Sequence, residues 1–183
     1  MLAQMLLVVV DAVVSALVWL FLVRFHFQWL RVPFRNPLGQ FIVALTNWAV
    51  VPARRVVPGL AGLDLATLLL AWLTQLLGLW AQFAIVGGDP SFVALAAIAA
   101  VDLLRYSLYI LILAVFLHVA ITWINPDAPA EPLLAMVTRP FLRPLRRYVP
   151  PVANVDLSPM VLILILYVLL IPLNYLRLAA AGL

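Results

Sequence analysis

Four uninterrupted apolar runs, at roughly residues 2–30, 64–86, 92–124 and 158–181, constrain this chain more than any other feature. Each is longer than the ~20 residues a helix needs to cross a ~30 Å hydrocarbon core. In lipid only helices and closed barrels satisfy their own backbone groups. The runs are continuous rather than alternating and rich in Leu, Ala and Ile, which argues against a barrel. Composition agrees: 67% of the chain is hydrophobic and only 10% is charged. A soluble domain carries about 25% charged residues, so an ordinary soluble enzyme is excluded, and the apolar runs exclude a disordered chain. The expected architecture is an all-α membrane protein with four transmembrane helices. The first and third runs exceed one perpendicular span, so those helices either tilt and protrude or begin in the interface.

The formal charge of +4 comes entirely from arginine, since the 11 basic residues include no lysine. These arginines gather in two connections, Arg24 to Arg55 and Arg139 to Arg147, whereas the Gly87-Gly88-Asp89-Pro90 turn has none. The positive-inside rule then places both arginine-bearing connections in the cytoplasm, and both termini and the middle turn outside. Arg177 alone lies on the opposite side. The clustering reads as topology and attraction to anionic lipid rather than as direct nucleic-acid contact. Without cysteine there is no disulfide or thiolate metal site. Asp11 within the first run, and no basic residue ahead of it, predict that the first helix is retained rather than cleaved as a signal peptide.

A shift of 92 residues superimposes the two halves of the sequence. Ser15 meets Ser107, His26 meets His118, Pro37 meets Pro129 and Thr46 meets Thr138. The densest match sets Pro52, Arg54, Arg55, Val57 and Pro58 against Pro144, Arg146, Arg147, Val149 and Pro150. Asp64-Leu65 and Asp156-Leu157 follow at the same distance. Each unit has two spans, so both copies keep one orientation and form a parallel tandem repeat of two helical hairpins, residues 1–90 and 91–183. Between the spans of each unit lies a shorter amphipathic element, 38–51 and 131–147. It is read as an interfacial cytoplasmic helix, the second one kinked at Pro140 and Pro144.

The segment Thr138-Arg139-Pro140-Phe141-Leu142-Arg143-Pro144-Leu145-Arg146-Arg147, followed by Pro150 and Asp156-Leu157-Ser158-Pro159, resembles the signature of the YggT family of small bacterial membrane proteins. The first half matches more loosely, with Asn47-Trp48 in place of Arg139-Pro140 and Ala66-Thr67 in place of Ser158-Pro159. The resemblance covers nearly the whole chain and implies a bacterial inner-membrane protein. It links some relatives to osmotic tolerance and ion homeostasis, and others to division or nucleoid distribution. It supplies no reaction and no cofactor.

Three constellations carry the functional possibilities. Arg54, Arg55, Arg139, Arg143, Arg146 and Arg147 can bind anionic lipid phosphates or an envelope or division partner through forked donors. Their plainer role is topology. Asp64 and Asp156 sit where a span begins and can cap its free N–H groups or pair with the arginines. Ser158, followed by Pro159, competes for the second cap. Inside the spans, Asp11, Ser15, His26, Ser107 and His118 share helix faces and form a possible ion or osmolyte conduit. Asp102 and Arg105, three residues apart, are expected to neutralise each other. A Ser, a His and an Asp lie in the first span, but the Ser and His are about three turns apart, beyond hydrogen-bond reach for a catalytic triad. No metal-ligand spacing, phosphate loop or nucleophile elbow occurs, so the chain is read as non-enzymatic. Ala96 and Ala100 permit close helix contact, the basis for a possible homo-oligomer.

Overall fold

The computed structural model describes residues 1–60, 62–150 and 156–181. Among them six helices follow one another: α1 (Leu2–Trp29), α2 (Pro37–Val56), α3 (Leu65–Val86), α4 (Phe92–Ile124), α5 (Glu131–Tyr148) and α6 (Ser158–Ala180). Four of these, α1, α3, α4 and α6, are long and apolar enough to cross a membrane. Their bounds fall within a residue or two of the apolar runs. The protein is therefore an all-helical, multi-pass membrane protein. Large apolar side chains such as Leu164, Val168 and Ile171 stand exposed along α6, as they should where hydrocarbon is the solvent. α4 is one continuous helix of 33 residues, about 50 Å long, so its Ala-rich start is not a separate element.

The chain divides into two compact units, residues 1–106 with 173–183, and residues 107–172. In the first, α1 packs along α3 and both meet α2. Gly78 on α3 makes that approach possible, because a Cβ there would overlap the Cγ atoms of Val14 on α1. Leu76, Leu79, Leu95, Ile98 and Ala99 form a buried cluster between α3 and the first part of α4, flanked by Trp72 and Ala96. The Trp72 indole donates to the Ala96 carbonyl at 3.1 Å, so the small residues of α4 seat a ring of α3. In the second unit Leu111, Val115, Leu142, Leu162 and Leu166 join α4, α5 and α6.

Local signals explain the helix ends. Asn36 caps α2 by accepting from the Gly39 amide at 2.7 Å, with Pro37 in the first turn. Gly87 ends α3 in the left-handed region at φ 78°. The Gly88 amide then reaches back to the Phe83 carbonyl at 2.9 Å, closing a Schellman turn. One helix runs past its expected limit. α2 continues through Pro52 to Val56, carrying Arg54 and Arg55 on its last turn. A proline costs a helix one amide bond and some strain, which an exposed site near a C-terminus can absorb. Basic side chains on that turn also favour the negative end of the helix dipole. α5 ends within a residue of its expected limit, with Pro140 and Pro144 inside the one helix.

Candidate functional site

Arg139, Arg143, Arg146 and Arg147 recur at intervals of four, three and one along α5, which places all four on one stripe. All four are exposed, while Val137, Thr138 and Leu142 turn inward. On α2, Arg54 and Arg55 are likewise exposed. One member of each Arg-Arg pair bonds a carboxylate ten residues on. Arg54 donates from Nη2 at 2.7 Å and Nε at 3.2 Å to Asp64 Oδ2. Arg146 donates from Nε at 2.8 Å to Asp156 Oδ2. Among the described residues, Arg55, Arg139, Arg143 and Arg147 make no ion pair with a carboxylate.

Both aspartates also cap the next span. Asp64 accepts from the Thr67 amide at 3.4 Å and from the Thr67 hydroxyl. Asp156 accepts from the Ser158 amide at 2.9 Å. The carboxylate therefore takes the cap position, and Ser158 becomes the first residue of α6 with its side chain buried. Burial alone would raise the Asp64 carboxyl, but Arg54 and Thr67 outweigh it and hold the group below the ordinary carboxylate range. Asp156 behaves alike, with burial opposed by the Ser158 hydrogen bonds and by Arg146. The copies differ in openness: the Asp64 side chain is 10% exposed and that of Asp156 39%.

A second repeated contact ties each arginine-bearing helix to the span before it. Thr46 on α2 donates to the Ile42 carbonyl and accepts from Arg24 Nη1 on α1, both at 2.5 Å. Thr138 on α5 donates to the Leu134 carbonyl at 2.8 Å, and its oxygen lies 2.7 Å from His118 Nδ1. With the hydroxyl proton already used, the imidazole is the donor. Glu131 Oε1 stands 3.6 Å from His118 Nε2. The equivalent His26 does not follow this pattern: its Nδ1 faces the Leu22 carbonyl at 2.6 Å, and Phe25 and Trp29 flank the ring.

The remaining span residues are placed as follows. Asp11 is exposed on α1 and accepts from Gln82 Nε2 at 3.1 Å. Ser15 and Ser107 are half-buried. Asp11, Ser15 and His26 belong to the first unit, Ser107 and His118 to the second. Asp102 does bond Arg105 at 2.8 Å, but it gathers more than the expected partner. Arg177 Nε also donates to Oδ1 at 2.8 Å, and Gln75 Nε2 donates to Oδ2 at 3.0 Å. This buried cluster draws on α3, α4 and α6. Gln75 and Gln82 gave no signal in the sequence; Arg177 did, as the one arginine on the wrong side of the topology.

Where α4, α5 and α6 come together, a pocket of ≈ 250 Å³ is lined by His118, Thr122, Trp123, Leu142, Arg146, Asp156 and Pro159. In the first unit an apolar cleft of ≈ 570 Å³ lies between α3 and α4 along Leu65, Leu69, Trp72 and Leu103. Among the described residues no group of three or more His, Asp or Glu side chains is placed to hold a metal ion.

The CCB3/YggT family profile matches two segments, residues 3–84 and 97–177, in agreement with a doubled sequence. An uncharacterized protein of Escherichia coli K12, YggT, is 34% identical over 161 residues, 87% of this chain and 84% of its own length. An uncharacterized protein of Pseudomonas aeruginosa is 34% identical over 75% of this chain and 72% of its own. One from Vibrio alginolyticus, encoded beside proC, is 30% identical over 77% of this chain and 78% of its own. No solved structure matches.

Proposed function

The chain belongs to the CCB3/YggT family, and from that premise we propose that it is a non-enzymatic bacterial inner-membrane protein whose arginine-bearing face docks anionic lipid. One observation carries the reading: each copy neutralises one arginine with its cap aspartate and leaves the neighbours exposed, Arg55 in the first and Arg139, Arg143 and Arg147 in the second. Guanidinium groups that served only to set topology could be scattered. Here four share one stripe of α5, at the end of the bundle where headgroup phosphates lie. In this reading the face is cytoplasmic and both termini are outside. An envelope-associated protein would use the same face, and tolerance of osmotic stress, suggested by the family resemblance alone, would follow from that recruitment.

The test is lipid retention by the purified protein, measured by native mass spectrometry. Arg139→Gln, Arg143→Gln and Arg147→Gln together are expected to lower retained phosphatidylglycerol several-fold at unchanged yield. Unchanged retention would defeat the docking reading. The conduit alternative, lined by Asp11, Ser15, His26, Ser107 and His118, is favoured by no contact described above. Its own test is ion flux through reconstituted protein.

A further inference from the structure

Five of the eight residues lining the pocket between α4, α5 and α6 differ from those at the matching positions of the first copy, and two of the changes alter its polar chemistry. Pro159 stands at the repeat position of Thr67, and Trp123 at that of Arg31. In the first copy the Thr67 hydroxyl and amide and two nitrogens of Arg54 all bond Asp64. Proline has neither hydroxyl nor amide proton, so Asp156 takes its cap from Ser158 instead, meets one nitrogen of Arg146, and is left more exposed than Asp64, 39% against 10%. Arg146 meets it through Nε alone, and its terminal nitrogens make no hydrogen bond among the described residues. The pocket thus offers an open carboxylate, an open guanidinium and, in Trp123, an exposed indole face.

The charges decide the ligand. Arg146 and Asp156 sum to zero, and His118, which also lines the pocket, faces the carboxylate of Glu131. A purely anionic headgroup could reach the terminal nitrogens of Arg146 but would bring no positive group to face Asp156. A zwitterion carrying phosphate and ammonium matches both charges: phosphate on the terminal nitrogens of Arg146, ammonium on Asp156 and over the Trp123 ring. We propose that this pocket is a headgroup site for an aminophospholipid of the phosphatidylethanolamine type. An ethanolamine ammonium has N–H donors for the carboxylate, whereas a choline headgroup of equal charge has none. The inference rests on the lipid-docking reading and names a ligand for the second copy. The free arginines of the stripe would still attract anionic lipid around it.

The experiment measures retention of phosphatidylethanolamine, phosphatidylcholine and phosphatidylglycerol by the detergent-purified full chain, in competition, by native mass spectrometry. Phosphatidylethanolamine is expected to exceed phosphatidylcholine by about tenfold, the scale of one charge-assisted hydrogen bond. Asp156→Asn keeps a capping oxygen for α6 and removes the charge, and should bring the two within about twofold. Pro159→Thr, which restores the first copy's cap, should act the same way. Equal retention of ethanolamine and choline lipids by the native chain would overturn the proposal, as would full discrimination in Asp156→Asn. If phosphatidylglycerol is still enriched in that case, the docking reading survives and only the pocket assignment falls. If no lipid is enriched, both fall. Displacement of the lipid by millimolar free phosphoethanolamine would overturn the lipid assignment in favour of a soluble phosphoamine.

Discussion

Truncating Asp102 to alanine tests the buried polar cluster directly. The carboxylate is 1% exposed and accepts three hydrogen bonds, from Arg105, Arg177 and Gln75. Its removal leaves two guanidinium groups side by side without an anion and strands the Gln75 amide. Breaking a fully buried ion pair from one side costs about 3–5 kcal/mol. The arginine side chains are 20% and 39% exposed, so Arg177 in particular retains part of its solvation. The expected loss is therefore at the lower end, about 3 kcal/mol. Arg177→Ala should cost about 1 kcal/mol, because Arg105 still neutralises the carboxylate. In the double variant the two losses should fall short of additivity by about 1 kcal/mol, since the second truncation removes a charge the first had stranded.

The assay is reversible unfolding in mixed micelles, followed by helical circular dichroism. Asp102→Ala within about 0.5 kcal/mol of the native chain would refute the reasoning, because surface substitutions give changes of that size. So would Arg177→Ala proving the more damaging of the two.

Three further outcomes follow from other contacts. Gly78→Leu should drive a side chain into Val14 and separate α1 from α3 at a cost of about 1–3 kcal/mol, read by the same unfolding assay. Thr46→Val should cost more than Thr138→Val, by about 1 kcal/mol, because it deprives a buried arginine rather than a half-buried histidine of its acceptor. Asp64 and Asp156 both have carboxyls lowered on folding, so their contribution is fully present above the unfolded value of about 3.9 and is lost as pH falls through the lower folded values. Acid titration of unfolding should show this loss below about pH 4, and Asp64→Asn should flatten that part of the profile.

The four spans were legible because, with hydrocarbon as solvent, an apolar run of sufficient length has one solution. The caps were legible because a carboxylate just ahead of such a run has free amides within reach. So was the pairing of arginine with aspartate, although nothing in Arg54-Arg55 or Arg146-Arg147 said that the first of each pair would make the bond. That choice depends on which side of the helix faces the next span, about 100° from one residue to the next. The end of α2 was misplaced because Pro52 reads as a stop, while at an exposed site a few residues from a helix end it is tolerated. The partners of Asp102 were out of reach for a different reason. Gln75 and Arg177 lie 27 and 75 residues away, and no local spacing encodes such contacts.

Duplication supplies the framework, and departures from it supply the chemistry. Both copies hold an arginine–aspartate pair ten residues apart and a threonine bonded back to the carbonyl four residues earlier. The aspartates fix the start of a span in each copy, and the threonines tie each arginine-bearing helix to the span before it. In the first copy every added contact closes the site: Thr67 fills Asp64, and Arg24 is drawn inward to Thr46. In the second copy Ser158 rather than a threonine caps with Asp156, histidine stands where arginine does on the threonine, and the more exposed carboxylate lines a pocket. A doubled hairpin under no further demand would have kept two equally closed ends. Proline and tryptophan among the lining residues that differ, beside the more exposed carboxylate, therefore favour binding at the second copy and a structural role for the first.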